Sequence, residues 1–398
     1  MLEKTTVLAS TFNRPIGLRR LLQHLADDAI VGTVVVLDSS NKEIIAQNAE
    51  ICRELSSRFK ITHHTYPETI HPCAKWLQGL KDIASELVLF CADDDFPIST
   101  SLVKCEQFLS ENPDYAACQG YFVSILRYAN GFRLGEDSFN LGRDEATPEE
   151  RVWNQFQDYA HVTYGVRRTT VWRNSLERIN RMIAAFPQDF TESYALIEMA
   201  DAMFCLMEGK IKRLPLLYTI RNGRPTVEDG WKSTFVFGPD FSRHLGIFQH
   251  AFSEALSDAT GRTFDDCQEL FRRAFSLYFS TVLRSTYEPP AVWKRSLSAF
   301  KQNLASPEIE EVRKHLFYSE PELPKITSLI EKFSLDIDFV PAGLAPPGVH
   351  YDQRVTEPPA QPPKKTVRSR LLKEISRGTR KLDRQYQRIR DSFRKTTG

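Results

Sequence analysis

The sequence lacks several things a secreted or membrane protein would show. Its seven cysteines (52, 73, 91, 105, 118, 205 and 267) are odd in number and never spaced Cys-x-x-Cys. That pattern argues against a disulfide framework or a zinc site, and for reduced thiols buried as small hydrophobes. No run approaches the roughly 18 uncharged apolar residues of a membrane-spanning helix. The opening Met1-Leu2-Glu3-Lys4-Thr5 lacks the apolar stretch and small-residue cleavage site of a secretory signal. A cytoplasmic location is therefore expected. No internal repeat is visible, and no glycine-rich phosphate loop follows the first strand-like segment.

An excess of one charge is also missing: 398 residues carry a net +1. The balance is uneven along the chain, however. Residues 364–398 hold thirteen Lys and Arg against Glu374, Asp383 and Asp391, so the rest of the chain is acidic. Within that tail Val367, Leu371, Ile375, Leu382, Tyr386, Ile389 and Phe393 recur at steps of three, four or seven, with Gly378 weakening the stripe by about 1 kcal/mol. A basic amphipathic helix suits an anionic membrane surface. It also suits a partner helix or self-association, and no specific nucleic-acid role is expected. Seven prolines (341, 346, 347, 358, 359, 362, 363) make 341–363 a linker.

What is present is an alternation of strand and helix signals over the first 125 residues. Thr6–Ala9 is a short β-rich run, and Leu18, Leu21, Leu22 and Leu25 then recur at helical spacing. Thr33–Leu37 and Leu87–Ala92 are wholly apolar, as strands covered on both faces are. Phe59–Thr65 and Ala116–Ile125 read as further strands, with helices over Ala74–Ile83 and from Ser99 or Ser101 to Leu109. Strand–helix alternation with buried central strands predicts a mostly parallel sheet flanked by helices, with ligands at the carboxyl ends of the strands. From 126 the pattern loosens, and Gly131, Gly135 and Gly142 suggest loops. Helical periodicity returns over Ser193–Met207 and Phe235–Phe300, and Leu214–Ile220 can add a last strand. The expected organisation is a catalytic region 1–230, a helical C-terminal region 231–340, the linker 341–363 and the tail 364–398.

Three polar clusters fall at strand ends. Asp93-Asp94-Asp95 ends an apolar strand, where three carboxylates repel one another unless a cation compensates. Hard oxygen ligands favour Mg2+ or Mn2+. The alternative is an acidic turn capping the next helix. Asp38, at the tip of the second strand, can accept from a nucleotide base or ribose, or cap a helix. Arg14 in Ser10-Thr11-Phe12-Asn13-Arg14-Pro15 can grip a phosphate, or simply mark a helix start.

These segments resemble the nucleotide-sugar half of family 2 glycosyltransferases with the GT-A fold. The residues that carry the resemblance are Ser10–Pro15, Val34-Val35-Val36-Leu37-Asp38-Ser39-Ser40 and Leu87–Phe96, and Ala92-Asp93-Asp94-Asp95-Phe96 is similar to a bacterial subgroup's motif. The likeness covers residues 5–125 closely and 155–225 more loosely. It implies a GT-A-like, Rossmann-type α/β domain using a nucleoside-diphosphate sugar, with a UDP-sugar favoured. Thr11 and Asp38 would contact the nucleoside, with Asn13 and Arg14 beside them and Lys75 approaching the nucleotide. Asp93 and Asp94 would lie near the ribose and diphosphate, and Asp93 and Asp95 would hold Mn2+ or Mg2+.

An inverting transfer also needs a base. The family places a carboxylate on a helix ending in Gly-Lys-Ile; counting back from Gly209-Lys210-Ile211 reaches Glu198, with Asp201 one turn on. The usual Glu-Asp pair is missing, so Asp201, Asp189 and Glu192 stay behind Glu198 as candidates, or both helical acids are ordinary solvated residues. His161 can line the pocket, and Arg221 and Arg224 can meet the departing diphosphate. The acceptor would be a glycan, a lipid-linked molecule or a protein, reached at the inner face of a membrane if the tail binds lipid. A nucleotidyltransferase would use similar carboxylates but needs the missing glycine-rich loop, and a tail-anchored nucleotide-sugar-binding scaffold would need no base.

Overall fold

The computed structural model describes residues 2–28, 32–128, 131–136, 142–157, 159, 161–186, 194–223 and 241–287. The expected linker and tail, together with Asp189, Glu192 and Arg224, lie outside the described residues.

The core is a mixed sheet that begins with β1 (Thr5–Thr11), β2 (Thr33–Asp38), β3 (Lys60–Thr65) and β4 (Leu87–Ala92). A short β5 (Asp95–Pro97), β6 (Tyr115–Tyr128), β9 (Val166–Arg168) and β10 (Lys210–Gly223) complete the order β3-β2-β1-β4-β9-β6-β10-β5. Six of these eight strands run in one direction; β9 and β5 are the antiparallel exceptions. The α/β class and the mostly parallel sheet expected from the apolar runs are thus observed. The glycines expected to mark loops instead belong to strands. Gly131 and Gly135 sit in β7 (Gly131–Glu136), which pairs antiparallel with β6, and Gly142 opens β8 (Gly142–Arg143) beside β10. Both strands hang off the main path of the sheet, where backbone pairing tolerates glycine and charge.

Helices cover both faces. On one side α1 (Pro15–Asp28) buries Leu18, Leu21, Leu22 and Leu25 against Val7, Ala9, Val34 and Val36, joined by α2 (Lys42–Leu55) and α4 (Ser99–Glu111). Each such aliphatic side chain removed from water contributes about 1.5–3 kcal/mol. On the other side α3 (Pro72–Leu80), α5 (Pro148–Gln157), α6 (Thr169–Ala184) and α7 (Tyr194–Glu208) pack on Leu8, Leu37, Val88 and Phe90. The hairpin α8 (Phe241–Thr260) and α9 (Phe264–Tyr287) joins that same cluster through Phe248, Phe252, Phe271 and Phe275, the last three meeting Phe156 of α5. Helix α7 is apolar on nearly every face, as a helix sandwiched between sheet and helices must be. Among the described residues no helix is long and apolar enough to cross a membrane.

Candidate active site

Parallel register assembles the first half of the site. Thr11 of β1 lies opposite Asp38 of β2, and Ser10 opposite Ala92 of β4, so the segments that follow these strands emerge side by side. Two asparagines stitch the loops after β1 and β2 together. Asn13 turns the chain at a φ of 54°, a left-handed conformation that asparagine tolerates better than most residues. Its backbone N–H donates to Ser40 Oγ (2.8 Å), while its side-chain oxygen accepts from the Asn41 backbone (2.9 Å). Asn41 in turn caps α2 by accepting from Ile44 N.

Asp38 is wholly buried and engaged within the protein. It accepts from the Ser40 backbone (2.9 Å), Asn48 Nδ2 (2.8 Å) and, at 3.1 Å, approaches His63 Nε2. Burial works against its charge, yet the hydrogen bonds from His63, Ser40 and Asn48 win and hold the carboxyl at about 2. Lys75, buried at the foot of α3, donates to the Thr11 carbonyl (3.1 Å) and Ser39 Oγ (2.9 Å). Burial pulls its ammonium down to about 8, against the attraction of Asp38 and Asp93. Thr11, Asn13, Asp38 and Lys75 are therefore brought together, but largely to hold one another.

The three aspartates separate in role. Asp93 accepts from Thr11 Oγ1 (2.7 Å) and from Arg14 (3.1 Å), and the same Arg14 nitrogen reaches Asp94 at 2.9 Å. Asp95, on β5, faces Arg221 of β10, its register partner, at 3.3 Å. Its Oδ2 is buried without a hydrogen-bond partner. Burial pushes the Asp95 carboxyl up to about 7 despite Arg221, and the neighbouring Asp94 charge pushes the same way. Among the described residues no three His, Cys, Asp or Glu side chains converge into a ready cage for a metal. Magnesium and manganese sites that serve diphosphates need fewer, one or two carboxylates with phosphates and waters completing the shell. The orphaned oxygen of Asp95 fits such a cation; Asp93, with both oxygens occupied by Thr11 and Arg14, fits it less readily.

The second half comes from distant segments. Glu198 of α7 contacts His161 Nδ1 through Oε1 at 2.6 Å. Burial pushes the Glu198 carboxyl up, but His161 and then Arg221 outweigh it and leave it below the ordinary range. Asp201, the other candidate base, serves the interior. Arg167 of β9 donates to both of its oxygens (2.8 and 3.0 Å), and Thr163 donates to one (2.8 Å). Arg167 is fully buried and lies over the Trp172 ring at 4.5 Å. Arg221 joins the halves: paired with Asp95 at one end, it lies over Tyr164 at 4.4 Å and sits within the electrostatic reach of Glu198.

A cavity of about 540 Å³ runs across the join. Its walls include Thr11, Arg14, Lys75 and Asp93 on one side, and Thr163, Tyr164, Glu198 and Asp201 on the other. Two features of it escape sequence reasoning. Phe12, half exposed, lines the cavity as an open aromatic face. Gly17 lets α1 close on the Asp93 backbone, for a Cβ there would sit 3.0 Å from the Asp93 carbonyl oxygen. An aromatic residue beside a turn and a glycine in an amphipathic helix were the only signals available, and each is commonplace.

No family model matches the sequence, and no curated protein matches it. Among solved structures it is similar to S. aureus TarS 1–349, at 14% identity and a TM-score of 0.46, covering 84% of this chain and 81% of that one. The same fragment in complex with UDP-GlcNAc is 17% identical, with a TM-score of 0.44, over 71% of this chain and 81% of that one. Its complex with UDP gives 15% identity and a TM-score of 0.44, over 83% and 80%.

Proposed function

We propose that this chain is a GT-A-type glycosyltransferase that moves a sugar from a nucleoside-diphosphate donor, a uridine nucleotide being favoured, onto an acceptor hydroxyl with inversion. The observation that supports it most is the single cavity joining the Asp93–Arg14 cluster at the strand ends to Glu198 across the sheet. Ligands of open α/β sheets bind at those strand ends, and an ionised carboxylate facing them is what a displacement at a sugar carbon requires.

In this scheme Phe12 offers a face for the nucleoside base, and Thr11 and the Ser39-Ser40 turn held by Asp38 shape the nucleoside end. Asp93, fixed by Thr11 and Arg14, lies toward the ribose, and Arg14 toward the diphosphate. Asp95 would hold Mn2+ or Mg2+, which when bound neutralises charge on the departing diphosphate. Glu198 takes the proton from the acceptor hydroxyl. The acceptor oxygen then bonds to the anomeric carbon as the bond from that carbon to the diphosphate breaks, and the electron pair leaves with the diphosphate. The acceptor is a glycan, lipid-linked or protein hydroxyl, and the basic tail 364–398 would hold the enzyme at an anionic membrane surface.

UDP with manganese should raise the melting temperature of the full chain by mass action. UDP-glucose, UDP-galactose and UDP-N-acetylglucosamine should then be assayed for UDP release. Release by one of them that disappears in Asp95→Ala supports the proposal. No nucleotide-dependent stabilisation and no release across the panel would sink it.

A further inference from the structure

Glu198 is held by side chains that no strand-end motif supplies. His161 follows α5 in the chain and precedes β9, and Gln119 of β6 donates to its backbone carbonyl at 2.7 Å. The imidazole is thus delivered from a pinned backbone position, and its Nδ1 meets Glu198 Oε1 at 2.6 Å. Behind the imidazole, the Tyr159 ring stands edge-on at 5.5 Å, and Tyr278 of α9 backs Tyr159 at 5.8 Å. Glu198 lines the cavity, whereas His161 is not among the residues that form its wall. The order from the cavity outward is therefore carboxylate, imidazole, aromatic pair.

We infer that His161 is the positioning residue of the active-site carboxylate: by donating from Nδ1 to Glu198 Oε1 it turns the other carboxylate oxygen toward the acceptor. This rests on Glu198 acting as the base of the proposed transfer. One oxygen of a carboxylate is enough to take a proton, so the other can be committed to holding the group; the bond removes rotational freedom and, by favouring the anion, makes Glu198 a somewhat weaker base. An imidazolium beside the carboxylate favours its ionised form, so the charge of one group bears on the protonation of the other. Among the described residues, the other ionisable groups that interact with Glu198 are Arg221 from β10, Tyr164 after His161, Tyr159 beside α5 and Tyr278 from α9. None of these four ordinarily changes charge between pH 5 and 8, as an imidazole does.

The test has a substrate-free arm and a kinetic arm, both on the full chain. In the first, the ring Cε1–H resonance of His161 is titrated by NMR in the wild type and in Glu198→Gln. Removing the carboxylate should lower the imidazole midpoint by about 1 pH unit, since an adjacent anion favours the imidazolium. An unchanged midpoint overturns the pair. In the second, UDP release from the donor that turns over is followed against pH. His161→Gln, which still offers an N–H but no charge, should keep plateau kcat within about fivefold while its ascending limb moves to higher pH. His161→Leu should lose about 10- to 100-fold in kcat with UDP affinity unchanged. A His161→Leu enzyme with wild-type kcat and an unmoved limb overturns the positioning role. Should Glu198→Gln itself turn over at the wild-type rate, it is the base assignment that falls, a result the NMR arm separates from failure of the pair.

Discussion

The two halves of the cavity are built by different means. On the side proposed for the nucleotide, Thr11, Asp38 and Asp93 are neighbours because β1, β2 and β4 are neighbours, in a register that any parallel sheet imposes. Their side chains are mostly committed to one another: Asp38 to Ser40, Asn48 and His63, and Asp93 to Thr11 and Arg14. On the side proposed for the acceptor, Glu198, His161 and Arg221 arrive from three separate segments, and no shared strand register brings the first two together. One half is a frame whose polar groups set geometry; the other is a small cluster in which, on the proposed reading, single side chains carry the chemistry. Substitutions should therefore act on binding and stability on the first side and on turnover on the second.

The largest expected effect tests that division directly. Glu198→Gln should lower kcat for UDP release by about 10²- to 10⁴-fold, the usual contribution of a general base. Its melting temperature should stay close to wild type, because the Glu198 side chain is about a third exposed. Stopped-assay kinetics beside a thermal melt decides the matter; a retained kcat would move the base elsewhere.

Asp201 should respond in the opposite sense. Asp201→Asn leaves Arg167, which is 0% exposed, as an uncompensated buried charge, at a cost of about 3–5 kcal/mol. Urea unfolding should register that loss. The double variant Arg167→Met/Asp201→Leu should recover much of it, as apolar replacements of buried ion pairs often do. A D201N protein as stable as wild type but inactive would reverse the roles given to the two carboxylates.

Those two acids also mark where the sequence stops being legible. The runs Val34–Leu37 and Leu87–Ala92 announce buried parallel strands, so whatever polar residues follow them must stand at the binding edge. Asp38 and Asp93–Asp95 could be placed on that ground alone, and the structure puts them at or just beyond the strand ends. Glu198 and Asp201 lie three residues apart on one helix, and helical spacing cannot say which is free. The deciding partner of Asp201 is Arg167, on a three-residue antiparallel strand inserted between β4 and β6, too short to leave a periodic signal. The partner of Glu198 is a histidine 37 residues away. Likewise, β7 was hidden because its glycines read as loop, although at the side of a sheet backbone pairing suffices. Local pattern reaches strand ends; it does not reach contacts made only by the packing of separate elements.

A smaller effect should appear on the frame side as acid sensitivity. The folded value of about 2 for Asp38 lies below its ordinary 3.8, so the unfolded chain binds that proton more readily. The resulting stabilisation is complete above about pH 5 and is lost as pH falls through about 2, and amounts to about 2–2.5 kcal/mol. Urea midpoints measured from pH 5 down to 2.5 should fall more steeply for the wild type than for Asp38→Asn. Equal slopes would mean that another carboxylate carries the acid response.

The smallest change expected is also the cleanest probe of the frame, because its effects on stability and on binding should part company. Alanine at position 17 gains up to about 1 kcal/mol of helix propensity over glycine. Its Cβ, however, would stand 3.0 Å from the Asp93 carbonyl oxygen, so α1 or the Asp93 backbone must yield by a few tenths of an ångström. These two terms oppose each other in folding, and the melting temperature of Gly17→Ala should stay within about 2–3 °C of wild type. In nucleotide binding they do not oppose, since any shift of Asp93 spoils its bonds to Thr11 and Arg14. UDP affinity by calorimetry should weaken about 3- to 10-fold, or about 0.7–1.4 kcal/mol. An unchanged affinity would mean that the strand ends alone hold Asp93, and that the close approach of α1 contributes nothing to the nucleotide side.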